Sequence, residues 1–169
     1  MAIGAVKLQP VASGCWTVTA EVASSSLVVP VFLMNLHRFS VSLPKWNNQI
    51  LIDGTNPFHG SAGKFTLADV GNLSTGQFIA ALAPGSRVVK ALNTIIVPNL
   101  EADPVVGKAR RVLFISGDDD GAKIEVETLL TGFGYSVIDL GNLRNGGLIQ
   151  QPGGPLAGRN LFEEGERHK

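Results

Sequence analysis

Val88-Val89-Lys90-Ala91-Leu92-Asn93-Thr94 decides the fold together with the earlier stretch Leu51-Ile52-Asp53-Gly54-Thr55-Asn56-Pro57. Each is a short apolar run that ends in small polar residues. Buried parallel strands have this composition when their carboxyl ends open onto a ligand crevice. Two such strands in succession predict a nucleotide-binding α/β sheet.

The totals set the frame. A chain of 169 residues is most simply one domain, able to bury roughly two thirds of its unfolded surface. Lys plus Arg equals Asp plus Glu, 14 against 14, which gives no electrostatic case for nucleic acid or an anionic membrane. The single cysteine, Cys15, rules out an internal disulfide and suits a reducing compartment. The longest apolar run, Leu27 to Leu36, contains Pro30 and falls well short of the about 20 residues that cross a bilayer. No secretion-signal layout opens the chain. A cytoplasmic protein without membrane insertion is expected.

Along the chain, Val18 and Val22 suit a short helix over Thr17 to Ser26, and Leu27 to Leu33 reads as a buried strand despite Pro30. Gln49 to Asp53 is the next strand, followed by a polar loop from Thr55 to Leu73. Ser74-Thr75-Gly76-Gln77 has the spacing of a capping box, with Phe78, Ile79, Ala81 and Leu82 as the apolar stripe and Pro84-Gly85 as the stop. Arg87 to Ala91 is a strand, and a short helix begins at Pro98. Strand Arg111 to Ser116, helix Ala122 to Thr131 and strand Tyr135 to Leu140 follow, with loop-like sequence beyond Asn142. Alternation of strand and helix predicts a mostly parallel sheet with helices on both faces.

Four segments carry a resemblance in order and spacing. They are Ile52 to Pro57, Pro84 to Thr94, Arg111 to Asp119 and Gly134 to Gly141. Together they resemble the deazaflavin-dependent NADP reductases and their relatives, which include bacterial NADPH-dependent oxidoreductases and the cytoplasmic domain of STEAP-type metalloreductases. The match runs from about Val22 to about Gly158, some four fifths of the chain. Members of this family open with a strand and a G-x-G-x-x-G turn that seats a pyrophosphate. No such turn exists here; Gly4 and Gly14 stand alone. The resemblance therefore implies an incomplete Rossmann-like sheet: a single truncated domain over residues 1–158, then a flexible tail over 159–169. The Leu27 strand would have an open edge, which either Ala2 to Val6 or a second copy in a homodimer could cover.

The resemblance also assigns candidate sites. Val31, Phe32 and Leu33 would flank the nucleotide, and Thr55, Asn56, Asn93 and Thr94 would lie beside the nicotinamide. Gly147, Gln151 and Pro152 belong to a loop that closes over substrate in relatives. From the residues alone, Val31 to Leu33 equally make a core strand, Thr55-Asn56 an Asx-turn before Pro57, and the glycine-rich segment a flexible tail. Lys90 reads as a solvated strand-end lysine rather than a phosphate ligand. His37-Arg38 and His59 read as surface turns, and Asp118, Asp119 and Asp120 read as helix-capping residues. No metal site is expected.

The function implied is hydride transfer between NADP and a flavin or deazaflavin-type acceptor. That chemistry needs two rings stacked in a dry slot and little from side chains, so no catalytic side chain is assigned. The competing expectation is a non-catalytic Rossmann-like module that binds a partner.

Overall fold

The computed structural model describes residues 6–11, 15–20, 27–28, 46–61 and 64–165. Its main sheet is open and mostly parallel. β3 (Leu27–Val28), β4 (Ile50–Asp53) and β7 (Arg87–Ala91) run parallel to one another. β9 (Ala109–Gly117) joins β7 antiparallel, and β10 (Ser136–Asp139) runs parallel to β9 on the far side. The order is β10-β9-β7-β4-β3, with β8 (Val105–Val106) and β11 (Phe162–Glu164) both antiparallel to the first residues of β9.

The central strands are covered on both faces, so they read as unbroken apolar runs. Ile50, Ile52, Val89, Ala91, Leu113 and Ile115 form one core with Ala122, Val126 and Leu130 of α3 (Asp120–Gly132). Leu51 and Val88 point the other way, onto Ile79 and Ala83 at α1 (Thr75–Leu82) and onto Leu143. The short helix α2 (Val97–Glu101) starts one residue before the expected Pro98, and α4 (Asn145–Gln150) lies against α1 and β9.

Helix starts follow local chemistry. Ser74 accepts from the Gln77 amide while Gln77 accepts from the Ser74 amide, completing the capping box. Asp119 caps α3 by accepting from Ala122 N at 2.7 Å, as the Asp118–Asp120 run suggests. Of the apolar stripe expected on α1, Ile79 is buried, Phe78 and Leu82 are half-buried and Ala81 is exposed.

Four expectations need correction. Cys15–Ala20 is a strand, β2, paired with β1 (Val6–Val11) in a separate hairpin, where a helix over Thr17 to Ser26 was expected. Val6 thus pairs with Ala20 rather than with the Leu27 strand. The expected loop from Thr55 to Leu73 contains the hairpin β5–β6 (Phe58–Ser61, Lys64–Leu67). Beyond Asn142 the chain forms α4, and within the expected tail Phe162–Glu164 pairs with β9. Arg111 reaches over Phe162, 4.7 Å from its ring centroid, and bonds Asn160, which gives β11 its anchorage. Residues 29–45, including the rest of the Leu27 strand and His37-Arg38, lie outside the described residues.

Two predictions follow from these contacts. Ser74 also donates to Leu143 O at 2.6 Å, which Gly147 N shares at 3.2 Å, so Ser74→Ala removes a cap and one of that carbonyl's two bonds; urea unfolding should show a loss of about 1–2 kcal/mol. At high pH, two groups act in one direction. The Asp139 hydrogen bond, opposed by burial and aided by Asp120, lifts Lys123 above its ordinary 10.5, and burial lifts Tyr135 above 10.0. Both hold their proton more firmly in the folded chain, so their contribution is whole below pH about 10 and is lost as pH rises beyond it. Tyr135→Phe should reduce that alkaline slope in a urea series.

Candidate functional site

One rung of the sheet is polar. Asp53 on β4 is in register with Lys90 on β7, and Lys90 is in register with Ser116 on β9. Strand alternation places all three on the α1 side, one step past Leu51 and Val88. Lys90 and Asp53 are both 0% exposed at the side chain, with Nζ 3.0 Å from Oδ2. Lys90 is therefore neither a solvated lysine nor a phosphate ligand, contrary to the sequence reading. Room for its stem exists because residue 76 is glycine: a Cβ there would meet Leu143 Cδ2 at 2.9 Å and Lys90 Cδ at 3.4 Å.

The ion pair shapes the β4 exit. Asp53 Oδ1 accepts from Thr55 N at 2.9 Å and from Thr55 Oγ1 at 2.7 Å, while Lys90 Nζ donates to Thr55 O at 2.8 Å. The Thr55 turn is thereby fixed at every polar atom. It delivers Asn56 to Asn93: Asn56 Nδ2 donates to Asn93 O at 3.0 Å, and Asn93 Nδ2 donates to Asn56 Oδ1 at 3.2 Å.

The β7 exit is shaped by backbone. Leu92 has φ +66, a left-handed conformation that costs a branched residue about 1–2 kcal/mol. It breaks the strand's alternation, since Leu92 packs against the α3-side core where parity would send it toward α1. Asn93 then meets α4. Gln150, fully buried, donates from Nε2 to Asn93 Oδ1 at 2.9 Å, accepts from Ser116 Oγ at 2.8 Å, and takes Asn93 Nδ2 on its backbone oxygen at 2.9 Å. Its neighbour Gln151 accepts from Thr75 N and Oγ1 at the start of α1.

Of the expected site residues, Thr55, Asn56, Asn93 and Thr94 thus come together at adjacent strand ends, and Gln151-Pro152 is joined to them through Gln150. Val31, Phe32 and Leu33 lie outside the described residues. Gly147 makes room for Ser74 of this chain, whose Oγ would stand 2.9 Å from a Cβ there, and Gly146 likewise makes room for Ser116 and Leu140. His59 lies in β5. Among the described residues no group of three or more His, Cys, Asp or Glu is arranged to hold a metal ion, and no helix is long and apolar enough to cross a membrane.

Sequence reasoning missed Gln150 and the role of Lys90. The only available signal was a charged residue on each of two successive apolar strands, at matching distances from their polar ends.

A nicotinamide group fits what these strand ends leave available. Thr94 is 1% exposed, and its Oγ1 finds no hydrogen-bond partner among the described residues. Buried hydroxyls are rarely left so. Asn56 is half-buried and retains one N–H.

Comparison with known proteins agrees with the architecture. The chain is 30% identical over 129 residues to Metalloreductase STEAP3 of Rattus norvegicus, covering 75% of this chain and 25% of that protein. It superposes on a hypothetical protein from Sinorhizobium meliloti with a TM-score of 0.67 and 37% identity, over 72% of this chain and 58% of that one. A candidate F420-dependent NADP-reductase from Arthrobacter sp. FB24 gives a TM-score of 0.49 and 39% identity over 57% and 45% of the two chains. No protein-family model matches. The chain spans about a quarter of the curated relative and just over half of the Sinorhizobium structure.

The ion pair gives a direct prediction. Lys90→Met leaves the Asp53 carboxylate buried alone and should cost about 3–5 kcal/mol in urea unfolding, whereas Asp53→Asn with Lys90→Met should recover most of that loss. Equal losses in the single and double variants would contradict the burial described.

Proposed function

We propose that the chain binds NADP(H) at the ends of β4 and β7 and serves hydride transfer to a flavin or deazaflavin-type acceptor. The observation that carries this reading is the joined amide cluster Asn56–Asn93–Gln150 with, beside it in sequence, the buried Thr94 hydroxyl that has no partner among the described residues. The likeness to a metalloreductase over three quarters of the chain supports it. So do the four family-like segments, two of which end in this cluster.

NADP(H) supplies the hydride. The chain's own residues bind and orient. Asn56 and Thr94 offer the remaining polar contacts, because the side chains of Thr55 and Asn93 already bond within the protein. Pro57 and Ile95 are buried on either side of these turns and help to exclude water. Phe58 and Leu67, opposite each other on the hairpin that follows Pro57, expose apolar surface that suits a flat acceptor ring. Among the site residues no side chain is required to donate or remove a proton. Hydride transfer is then governed by ring alignment.

A second reading, a non-catalytic module that binds a partner, is favoured by one feature: the sequence has no glycine-rich turn for a pyrophosphate. Isothermal titration with NADPH separates the two. Binding with Kd below about 100 μM is expected, with NADPH-dependent reduction of FMN or a deazaflavin; no heat at millimolar NADPH would overturn the NADP reading.

A further inference from the structure

The three carboxamides at the strand ends each have their orientation set by a backbone carbonyl. A primary amide has two N–H donors and two acceptor lone pairs, and a carbonyl oxygen can only accept. Asn56 must turn Nδ2 toward Asn93 O, Asn93 must turn Nδ2 toward Gln150 O, and Gln150 must turn Nε2 toward Lys90 O at 3.4 Å. In this state both N–H groups of Asn93 are used, on Asn56 Oδ1 and Gln150 O. Its Oδ1 accepts one bond, from Gln150, and keeps one lone pair.

The geometry points to Gln150 as a positioning residue that makes this site selective for a ligand amide. By accepting from Asn93 Nδ2 on its backbone oxygen and donating to Asn93 Oδ1, while Ser116 Oγ and Lys90 O hold its own amide in place, Gln150 together with Asn56 Oδ1 keeps Asn93 an acceptor with no spare donor. The group recognised is an N–H donor on a planar ring substituent, which the nicotinamide carboxamide provides. Asn56, with one N–H and one lone pair left, is then placed to read the oxygen of the same carboxamide. This inference rests on the NADP(H) reading above and adds the residue that sets its specificity.

The test is a ratio of affinities, which a general loss of stability does not alter. NADP⁺ is compared with its 3-acetylpyridine analogue, in which a methyl group replaces the amide nitrogen. A site with an oriented acceptor discriminates against a ligand lacking the donor, so the wild-type chain should prefer NADP⁺ by about tenfold or more. Gln150→Glu sets an acceptor against Asn93 Oδ1, in competition with the residue 150 backbone oxygen for Asn93 Nδ2; Gln150→Leu removes the Nε2 donor and loosens Asn93. Both variants, checked for cooperative thermal melting, should bring the ratio below about threefold. A wild-type ratio near one, or a folded variant that keeps the tenfold preference, overturns the role of Gln150 while leaving NADP(H) binding intact. Absence of NADP⁺ binding by the wild-type chain overturns the function proposed above, and this inference with it. If neither variant folds, the side-chain amide protons of wild-type Asn93 decide: protection from solvent exchange is expected, and free exchange overturns the lock.

Discussion

Placing an ammonium and a carboxylate side by side in a core removes each from water at a cost of several kcal/mol, recovered only when geometry and further hydrogen bonds are good. Asp53 and Lys90 meet those conditions by being register partners on adjacent parallel strands. Every remaining hydrogen bond of their side chains goes to Thr55. The pair therefore does more than neutralise itself: it converts the end of β4 into a fixed turn. Ser116 continues the same rung on β9 and meets Gln150, which brings α4 into the arrangement. Removing the rung would leave two strand ends with no common reference.

Within that arrangement the labour is divided. Thr55 is bonded to Asp53 and Lys90, and Asn93 and Gln150 bond each other, so they act by placement. Thr94 and Asn56 retain unused capacity. A site of this kind suits chemistry in which alignment of two rings matters more than proton transfer, and it explains why no triad, carboxylate pair or metal-ligand spacing stands out in the sequence.

Much of the architecture was legible because it rests on local rules. Ser74 and Gln77 mark a helix start, Asp119 marks another, and the covered strands read as apolar runs. The errors share a cause as well. Asn145-Gly146-Gly147 has the composition of a loop, and its helix exists because glycines there let α4 approach Ser74, Ser116 and Leu140. The β5–β6 hairpin surrounds a polar glycine-containing segment and shows little alternation to betray it. Lys90 was misread because strands covered on both faces show no polar–apolar rhythm from which to infer orientation; its partner is 37 residues away and becomes visible only once the register of β4 against β7 is known. Likewise, Leu92 gives no hint of its left-handed backbone, which is imposed by packing on the α3 side and by Asn93 meeting Gln150.

The central claim is that the ends of β4 and β7, tied together by Asp53, Lys90 and Gln150, form a nicotinamide site. A ¹⁵N amide-shift titration of the full chain with NADPH tests it most directly. The account predicts that the largest shifts fall on Thr55, Asn56, Leu92 to Thr94 and Gln150-Gln151, with little change at β8 and β11. Shifts centred on Val105-Val106 and Phe162–Glu164, or none at saturating NADPH, would contradict it.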